Sequence, residues 1–292
     1  MSFPICELPA AEFPKSLLEI PQPPKQLRCR GTLPPSNMTL LSVVGSRHYT
    51  NYGKQAVEEL IGGLKNYNVG IISGLALGID SLAHEAALTA GLYTLAIPGG
   101  GLSDVVIYPR QHLRLAHRIL ENEGGLLSEY DDDFKATTWS FPQRNRLVAG
   151  ISKATLLIEA AEKSGTLITA RLATDYNREL LVVPGSIFSA NSKGTHQFMK
   201  LGATPVTSSD DILEALGVDV TAAPAKPALH DITSLNLSPQ ETKILSLLHE
   251  PLERDTLIRQ SGLPAQETNV LLMKMEMQDL IVSEQNMYRR KI

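Results

Sequence analysis

The apolar run Val69-Gly70-Ile71-Ile72 passes without a break into Ser73-Gly74-Leu75-Ala76-Leu77-Gly78-Ile79-Asp80, and then into a helix-like stretch from Ser81 to Ala90. A strand feeding straight into a helix across a glycine-rich turn is a building step of a parallel sheet, so this stretch constrains the fold strongly. Two glycines at the junction let backbone approach a ligand closely. The free amides of the first helical turn present partial positive charge to an anion. The pattern outlines a phosphate site. Upstream, Leu41-Ser42-Val43-Val44 runs into Gly45-Ser46-Arg47 before another helix, and downstream Thr94-Leu95-Ala96-Ile97 runs into Pro98-Gly99-Gly100-Gly101. In a parallel sheet all three turns open at the carboxyl edge, where open α/β folds bind ligands.

The same alternation continues along the chain. Strands are expected at 40–44, 69–72, 93–97, 125–128, 154–158, 180–183 and 203–206, separated by helical patterns. This is the signature of an α/β fold with a mainly parallel, doubly wound sheet covered on both faces. Tyr52 to Tyr67 carries Val57, Leu60, Ile61 and Leu64 at helical spacing, and Gly165 to Tyr176 carries Leu167, Ile168, Leu172 and Ala173 likewise. Residues 1–38, with Pro21-Gln22-Pro23-Pro24 and Pro34-Pro35, show no sustained period and read as an extended proline-rich N-terminal arm on the main domain, 39–217. A short helix from Ser208 closes that domain at Gly217, and the Ala, Pro and Thr of 218–235 read as a linker. Residues 236–292 read as a small winged-helix domain. Ser238-Pro239 caps a first helix, two more follow, and Leu280-Ile281-Val282-Ser283 pairs with Met287-Tyr288-Arg289-Arg290 across Glu284-Gln285-Asn286.

A chain of 292 residues with 43% hydrophobic content buries a large core, and its length suits one large domain with a smaller companion. The formal charge of -4, from 27 basic and 31 acidic residues, means that any nucleic-acid contact comes from a local basic patch. Cys6 and Cys29 have no metal-ligand spacing and suit a reducing compartment. No apolar run approaches the roughly 20 residues that span a bilayer, and the N-terminus lacks a basic segment followed by an apolar one. A cytoplasmic protein without membrane contact is expected.

Several motifs fall in one order: Gly45-Ser46-Arg47, Ser73-Gly74-Leu75-Ala76 with Gly78-Ile79-Asp80, Tyr108-Pro109-Arg110, Leu127-Ser128-Glu129-Tyr130, Phe141-Pro142-Gln143-Arg144-Asn145-Arg146, Ser164-Gly165-Thr166-Leu167 and Lys193-Gly194-Thr195-His196. Together they resemble the DNA-processing protein A family, also called Smf, over most of residues 13 to 217. The resemblance implies an extended Rossmann-like domain that binds single-stranded DNA, protects incoming DNA and loads the RecA recombinase during natural transformation. It also implies a homodimer through that domain, placed near Gly194 to Gly202, where Phe198, Met199 and Leu201 offer an apolar patch. Family members often carry an extra helical domain ahead of the point where this chain begins. The turn from Gly99 to Tyr108 is longer than the family's usual link to its Tyr-Pro pair, which bears on the placement of Arg110.

The residues themselves support a grip on an unpaired strand. Arg47 follows a strand and two small residues, so its guanidinium can meet a phosphate bidentately while amides of Gly45, Ser46, Ser73, Gly74, Leu75, Ala76 and Gly78 hold other oxygens. The alternative for Arg47 is a surface pair with an acid such as Asp80. Arg144, Asn145 and Arg146 follow Phe141, combining cations for phosphates with a ring that stacks a base or plugs the core. Arg110 and the helix start Ser164, Gly165 and Thr166 extend the patch. Asp80 and His84 lie one helical turn apart, but two ligands do not make a metal site; Asp80 orients the glycine turn and His84 packs beside it. The expected recognition helix, Ala265 to Gln278, carries Glu267 and Glu276 against Lys274, poor chemistry for a groove, whereas Arg289, Arg290 and Lys291 remain candidate backbone contacts. A competing reading is a Rossmann-like nucleotide phosphoribohydrolase of the lysine-decarboxylase-like group, because Pro98-Gly99-Gly100 begins that group's Pro-Gly-Gly-x-Gly-Thr-x-x-Glu motif. Leu102 and Val106 stand where its second glycine and its glutamate belong. No other catalytic arrangement is assigned, so the reading is a noncatalytic binder with no cofactor and no metal.

Overall fold

A computed structural model describes residues 3–218, 237–248, 251–278, 280–284 and 287–290. The chain divides into two compact units, Met1–Ala223 and Pro224–Ile292.

In the first unit the elements follow in the order β1 (Ile5–Glu7), α1 (Lys15–Leu18), β2 (Arg28–Gly31), β3 (Thr39–Val44), α2 (Asn51–Gly62), β4 (Val69–Ser73), α3 (Ile79–Ala90), β5 (Thr94–Ala96), α4 (Leu113–Glu121), β6 (Gly125–Ser128), α5 (Ser140–Ile151), β7 (Ala154–Leu157), α6 (Thr166–Asp175), β8 (Glu179–Val182), α7 (Lys193–Lys200), β9 (Thr204–Pro205) and α8 (Ser209–Ala215). Among the described residues they form a nine-stranded sheet in the order β1-β2-β6-β5-β4-β3-β7-β8-β9. The strands from β6 to β9 in that order are parallel. The strand order reverses between β3 and β7, which opens a crevice beyond their carboxyl ends.

Both sheet faces are buried, and each central strand alternates between two cores. Leu41 and Val43 of β3 join Ile71, Leu156 and Leu181 under α2, α3 and α8, whereas Val44 joins Ile72, Leu157, Leu180 and Val182 under α1, α5, α6 and α7. This is why the strands read as unbroken apolar runs. Ser42, in the middle of β3, is the polar exception. Its hydroxyl donates to the Val148 carbonyl at 2.6 Å and pairs with Ser152 at 2.8 Å, which satisfies it without water. A third core packs Leu115, Ala116, Ile119 and Leu120 of α4 against Ala96 and Leu126.

Three expectations need correction. The N-terminal arm is not simply extended: β2 pairs antiparallel with β6, and β1 pairs antiparallel with β2, so the arm adds two strands to the sheet edge. Strands of three and four residues on an edge are too short to show a period. The helix expected over 52–67 ends at Gly62, after which Leu64, Lys65 and Tyr67 bond three residues back in tighter turns, with Leu64 still buried. Phe198 is not part of a surface patch. It is 4% exposed and belongs to the α5–α7 core, which leaves Leu201, at 71%, as the exposed apolar residue there.

The second unit contains α9 (Pro239–Leu247), β10 (Leu252–Glu253), α10 (Arg254–Ser261), α11 (Ala265–Met277), β11 (Ile281–Glu284) and β12 (Met287–Arg290). Ser238 accepts from the Glu241 amide while the Glu241 carboxylate accepts from the Ser238 amide, a reciprocal cap at the start of α9. β11 and β12 pair from Ile281↔Arg290 to Glu284↔Met287, and β10 adds to β12, giving the wing. On α11, Leu271 is core, whereas Val270, Met273 and Met277 are exposed. The expected linker from 219 onward, Gln285 and Asn286 of the hairpin turn, and Lys291 lie outside the described residues.

Candidate nucleic-acid interface

The tip of β3 is fixed by its own backbone. Ser46 offers its carbonyl to the Ile79 amide at 3.1 Å, and its hydroxyl bridges the carbonyl (2.9 Å) and amide (3.1 Å) of His48. Gly78 lies directly over this turn, with φ +86 and a virtual Cβ only 2.3 Å from the Ser46 oxygen and 2.6 Å from the Arg47 Cα. The glycine is therefore required by contact with the chain itself, not by contact with a ligand. Arg47 is left exposed, its guanidinium carbon 5.7 Å from the centroid of the Phe141 ring. Phe141 rests on the Gly99 turn, where a virtual Cβ would come within 2.5 Å of its Cδ1, and its ring lies 5.7 Å from that of the exposed Tyr108. Guanidinium, half-buried ring and exposed ring thus stand in a row, with a cation–π contact fixing the first two.

Beneath this row the chemistry is internal. Arg144 is 5% exposed. Its Nη1 donates to the Gly74 carbonyl at 2.6 Å and to the Ile97 carbonyl, and its Nε donates to Asn145 Oδ1 at 3.2 Å. The Asp80 carboxylate accepts from the Gly74 amide at 3.0 Å and is further held by the Ala76 amide and the Ser73 side chain. The anion in the glycine turn is the protein's own. Burial pushes the Asp80 carboxyl up from its ordinary value, while Arg144 and the two amides oppose that shift. Burial likewise brings Arg144 down to about 10, with Asp80 opposing, so the guanidinium stays charged at neutral pH. The turn thus encloses a carboxylate and a guanidinium that act on each other through space, and Arg144 fastens the tips of β4 and β5 instead of standing free for a phosphate. Ser73 donates to the Val43 carbonyl at 2.7 Å, and Leu75 is buried, its carbonyl 2.8 Å from His112 Nδ1. Neither faces solvent.

Arg146 differs from expectation in the same way. It is 7% exposed and paired with Glu129, whose carboxyl is raised by burial and lowered by the arginine. Arg144 and Arg146, two residues apart and so on different sides of α5, are covered by separate partners, the tips of β4 and β5 for one and Glu129 for the other, which the residue types alone do not reveal. Arg110 is exposed at the mouth of the 99–109 loop, with a guanidinium N–H donated to the Asp104 carbonyl. The turn Gly99-Gly100-Gly101 is roofed by the chain: a virtual Cβ on Gly101 would lie 2.2 Å from the carbonyls of Asp131 and Asp132, whose carboxylates pair with Arg28. Val106, at the position of the hydrolase glutamate, is buried.

His84 is fully buried. Thr94 Oγ1 donates to the Ile71 carbonyl at 2.8 Å, so at its 2.7 Å contact with His84 Nδ1 it accepts, which fixes the proton on Nδ1. Burial first, then His112 and Arg144, lower its pKa to about 3, so it is neutral and has a packing role. Among the described residues no group of three or more His, Cys, Asp or Glu side chains is placed to hold a metal.

The start of α6 completes the exposed set. Thr166 Oγ1 donates to the Gly45 carbonyl at 2.9 Å, and Ser164 Oγ donates to Thr166 Oγ1 at 3.0 Å, joining the 164–166 turn to the β3 tip. Gly165 is exposed, with nothing within 4 Å of a virtual Cβ. The structure therefore gathers Gly45, Ser46, Arg47, Phe141, Ser164, Gly165 and Thr166 at the crevice between β3 and β7, with Gly78 beside them and Asp80, Arg144 and Asn145 underneath. Sequence reasoning gave no site role to Tyr108, or to Glu159, whose two oxygens accept from the Thr50 amide (2.9 Å) and hydroxyl (2.6 Å) to anchor α2. Tyr108 lies in the Tyr108-Pro109-Arg110 motif given above.

Comparison with known proteins matches residues 5–217 to the model for "DNA recombination-mediator protein A" and residues 222–286 to the "DprA winged helix domain". Protein Smf of Escherichia coli is 34% identical over 281 residues, covering 95% of this chain and 75% of that protein. The X-ray structure of DNA processing protein A from Streptococcus pneumoniae aligns with a TM-score of 0.67 and 36% identity over 73% of this chain and 74% of that one. DNA processing protein A from Helicobacter pylori, whose structure is described as giving insight into its unique single-stranded DNA binding mode, aligns with a TM-score of 0.65 and 31% identity over 73% of this chain and 96% of that one.

Proposed function

Because the chain belongs to the DNA recombination-mediator protein A family, we propose that it binds single-stranded DNA without catalysis, protects it, and passes it to the RecA recombinase during natural transformation. The observation that carries this reading is the exposed Arg47 guanidinium held over Phe141 beside the open turn at Gly165. A cation for phosphate, a ring for an unpaired base and a hydroxyl-lined helix start are what an unstructured strand requires. The Helicobacter pylori relative, named for single-stranded DNA binding, supports the same ligand class. The buried Val106 at the glutamate position speaks against the hydrolase alternative. Among the described residues no helix is long and apolar enough to cross a membrane, and we place the activity in the cytoplasm, where RecA acts.

Arg47→Ala is expected to weaken binding of an unstructured oligonucleotide about tenfold and to reduce the salt slope by roughly 0.7, the loss of one single-strand phosphate contact. Equilibrium titration at several salt concentrations reads both quantities; an unchanged affinity and slope would reject the site. Arg144→Ala, whose guanidinium is internal, is not expected to change the salt slope.

We further assign a homodimer contact to the end of α7. Leu201 stands exposed at a cleft of about 330 Å³ that it shares with Arg171, Arg178, Phe198 and Ala203. Leu201→Glu should convert a dimer to a monomer in light scattering at micromolar concentration, and a dimer that survives the change would move the contact elsewhere.

A further inference from the structure

At the crevice where the strand order reverses, a cleft of about 500 Å³ is lined by Thr50, Tyr52, Glu159, Pro184, Gly185, Ser186, Ser189 and Ser192. Beside it the loop after β8 presents Ile187 at 76% and Phe188 at 91% exposure, the most exposed large apolar side chain among the described residues. The loop is not loose. Ser186 Oγ accepts from the Phe188 amide at 3.2 Å, the Ser189 amide bonds the Ser186 carbonyl at 3.0 Å, and Tyr52 donates its phenol to the Pro184 carbonyl at 2.5 Å. Asn191 Nδ2 donates to the His48 carbonyl at 2.8 Å, which ties this loop to the residue following Arg47. Phe188 is three residues from Asn191, a span of at most ~11 Å, so a strand whose phosphate rests on Arg47 passes within reach.

We infer that this cleft and Phe188 form a second subsite that takes an unpaired base of the strand held at Arg47. The proposal rests on the single-strand reading above and extends it. The lining contains no lysine or arginine, and both Glu159 oxygens are engaged by Thr50, so the cleft suits the uncharged part of a nucleotide and not its phosphate. Phe188 and Tyr52 supply ring surface for stacking. The hydroxyls of Ser186, Ser189 and Ser192 can turn to offer either a donor or an acceptor, so the subsite tolerates any base.

The test compares the full chain with its Phe188→Ala and Arg47→Ala variants, titrated with a fluorescent oligothymidylate and with a strand of equal length built of abasic residues. Phe188→Ala removes an exposed ring and is expected to leave the melting temperature unchanged. It should weaken oligothymidylate binding about tenfold with the salt slope preserved, and should have no effect on the abasic strand. If Phe188→Ala binds oligothymidylate as tightly as the unaltered chain while Arg47→Ala is weakened, the subsite is wrong and the single-strand reading stands. If Arg47→Ala binds both strands normally, that reading fails and the subsite falls with it. Equal losses for Phe188→Ala on both strands, or a changed sedimentation coefficient, would make Phe188 a protein contact and overturn the assignment.

Discussion

Arg144→Ala is expected to lower the unfolding free energy by about 3–5 kcal/mol, the usual cost of removing one partner of a buried charge pair. For a unit of this size that corresponds to a fall of roughly 6–20 °C in melting temperature. Three acceptors lose an Arg144 hydrogen bond together, the Gly74 and Ile97 carbonyls and Asn145 Oδ1, and the Asp80 carboxylate loses a nearby positive charge. The unbalanced carboxylate is the costliest of them. Asp80 already has a raised pKa in the folded chain, and loss of the arginine raises it further. The folded state then binds a proton more readily than the unfolded one, so the variant's stability declines as pH climbs through that raised value and is best preserved below the ordinary carboxyl range. The deficit against the unaltered chain should therefore narrow on acidification. Asp80→Asn in the Arg144→Ala background should recover part of the loss at neutral pH. Thermal melts of the four chains of that cycle, at two pH values, check each step; a pH-independent deficit with no recovery would show that Asp80 and Arg144 are not coupled.

Gly78→Ala is expected to cost about 2–5 kcal/mol, combining a backbone conformation open essentially to glycine with an overpacked contact. At φ +86 and ψ -130, Gly78 closes the start of α3 onto the carbonyl of Ser46, and a methyl there meets that oxygen and the Arg47 Cα. Something must move, and the β3 tip is the nearest movable element. The substitution should thus mimic Arg47→Ala in oligonucleotide titrations, with reduced affinity and reduced salt slope, although it removes no charge. Measurements below the lowered melting temperature separate this from unfolding. A stable Gly78→Ala chain with normal binding would mean that the turn has more freedom than its hydrogen bonds indicate.

The central sheet was readable because its strands carry apolar residues on both faces, so β3, β4, β7 and β8 stand out with or without a pattern of alternation. The glycine turns were readable for the same reason, since each follows such a run. What the turns do was not. Gly74, Gly78 and Gly101 each look like a place for a ligand, yet Asp80, Ser46 and the Asp131–Asp132 backbone fill those places, and an internal carboxylate is indistinguishable in sequence from a surface one. The burial of Arg144 and Arg146 is not legible because they lie on different sides of α5 and are covered by separate partners, the β4 and β5 tips and Glu129, that no spacing within the helix reveals. α4 is one of the helical patterns expected between strands, with Leu115, Ala116, Ile119 and Leu120 on its core face and Arg114, His117 and Arg118 on the other. Phe188 gave no signal at all. An isolated Ile-Phe pair in a loop has no periodic pattern to tell core from surface.

The occupied glycine turn also bears on selectivity. Small phosphorylated metabolites that lodge in Rossmann-like clefts do so chiefly through a vacant amide cradle at one strand tip, and here that seat is taken from within. What remains accessible is a set of groups along the rim, Arg47, Phe141 and the 164–166 turn, and a ligand long enough to meet several of them gains more than one that meets a single group. An inner acid in the place of an outer phosphate thus leaves the rim, and not the cradle, open to a ligand.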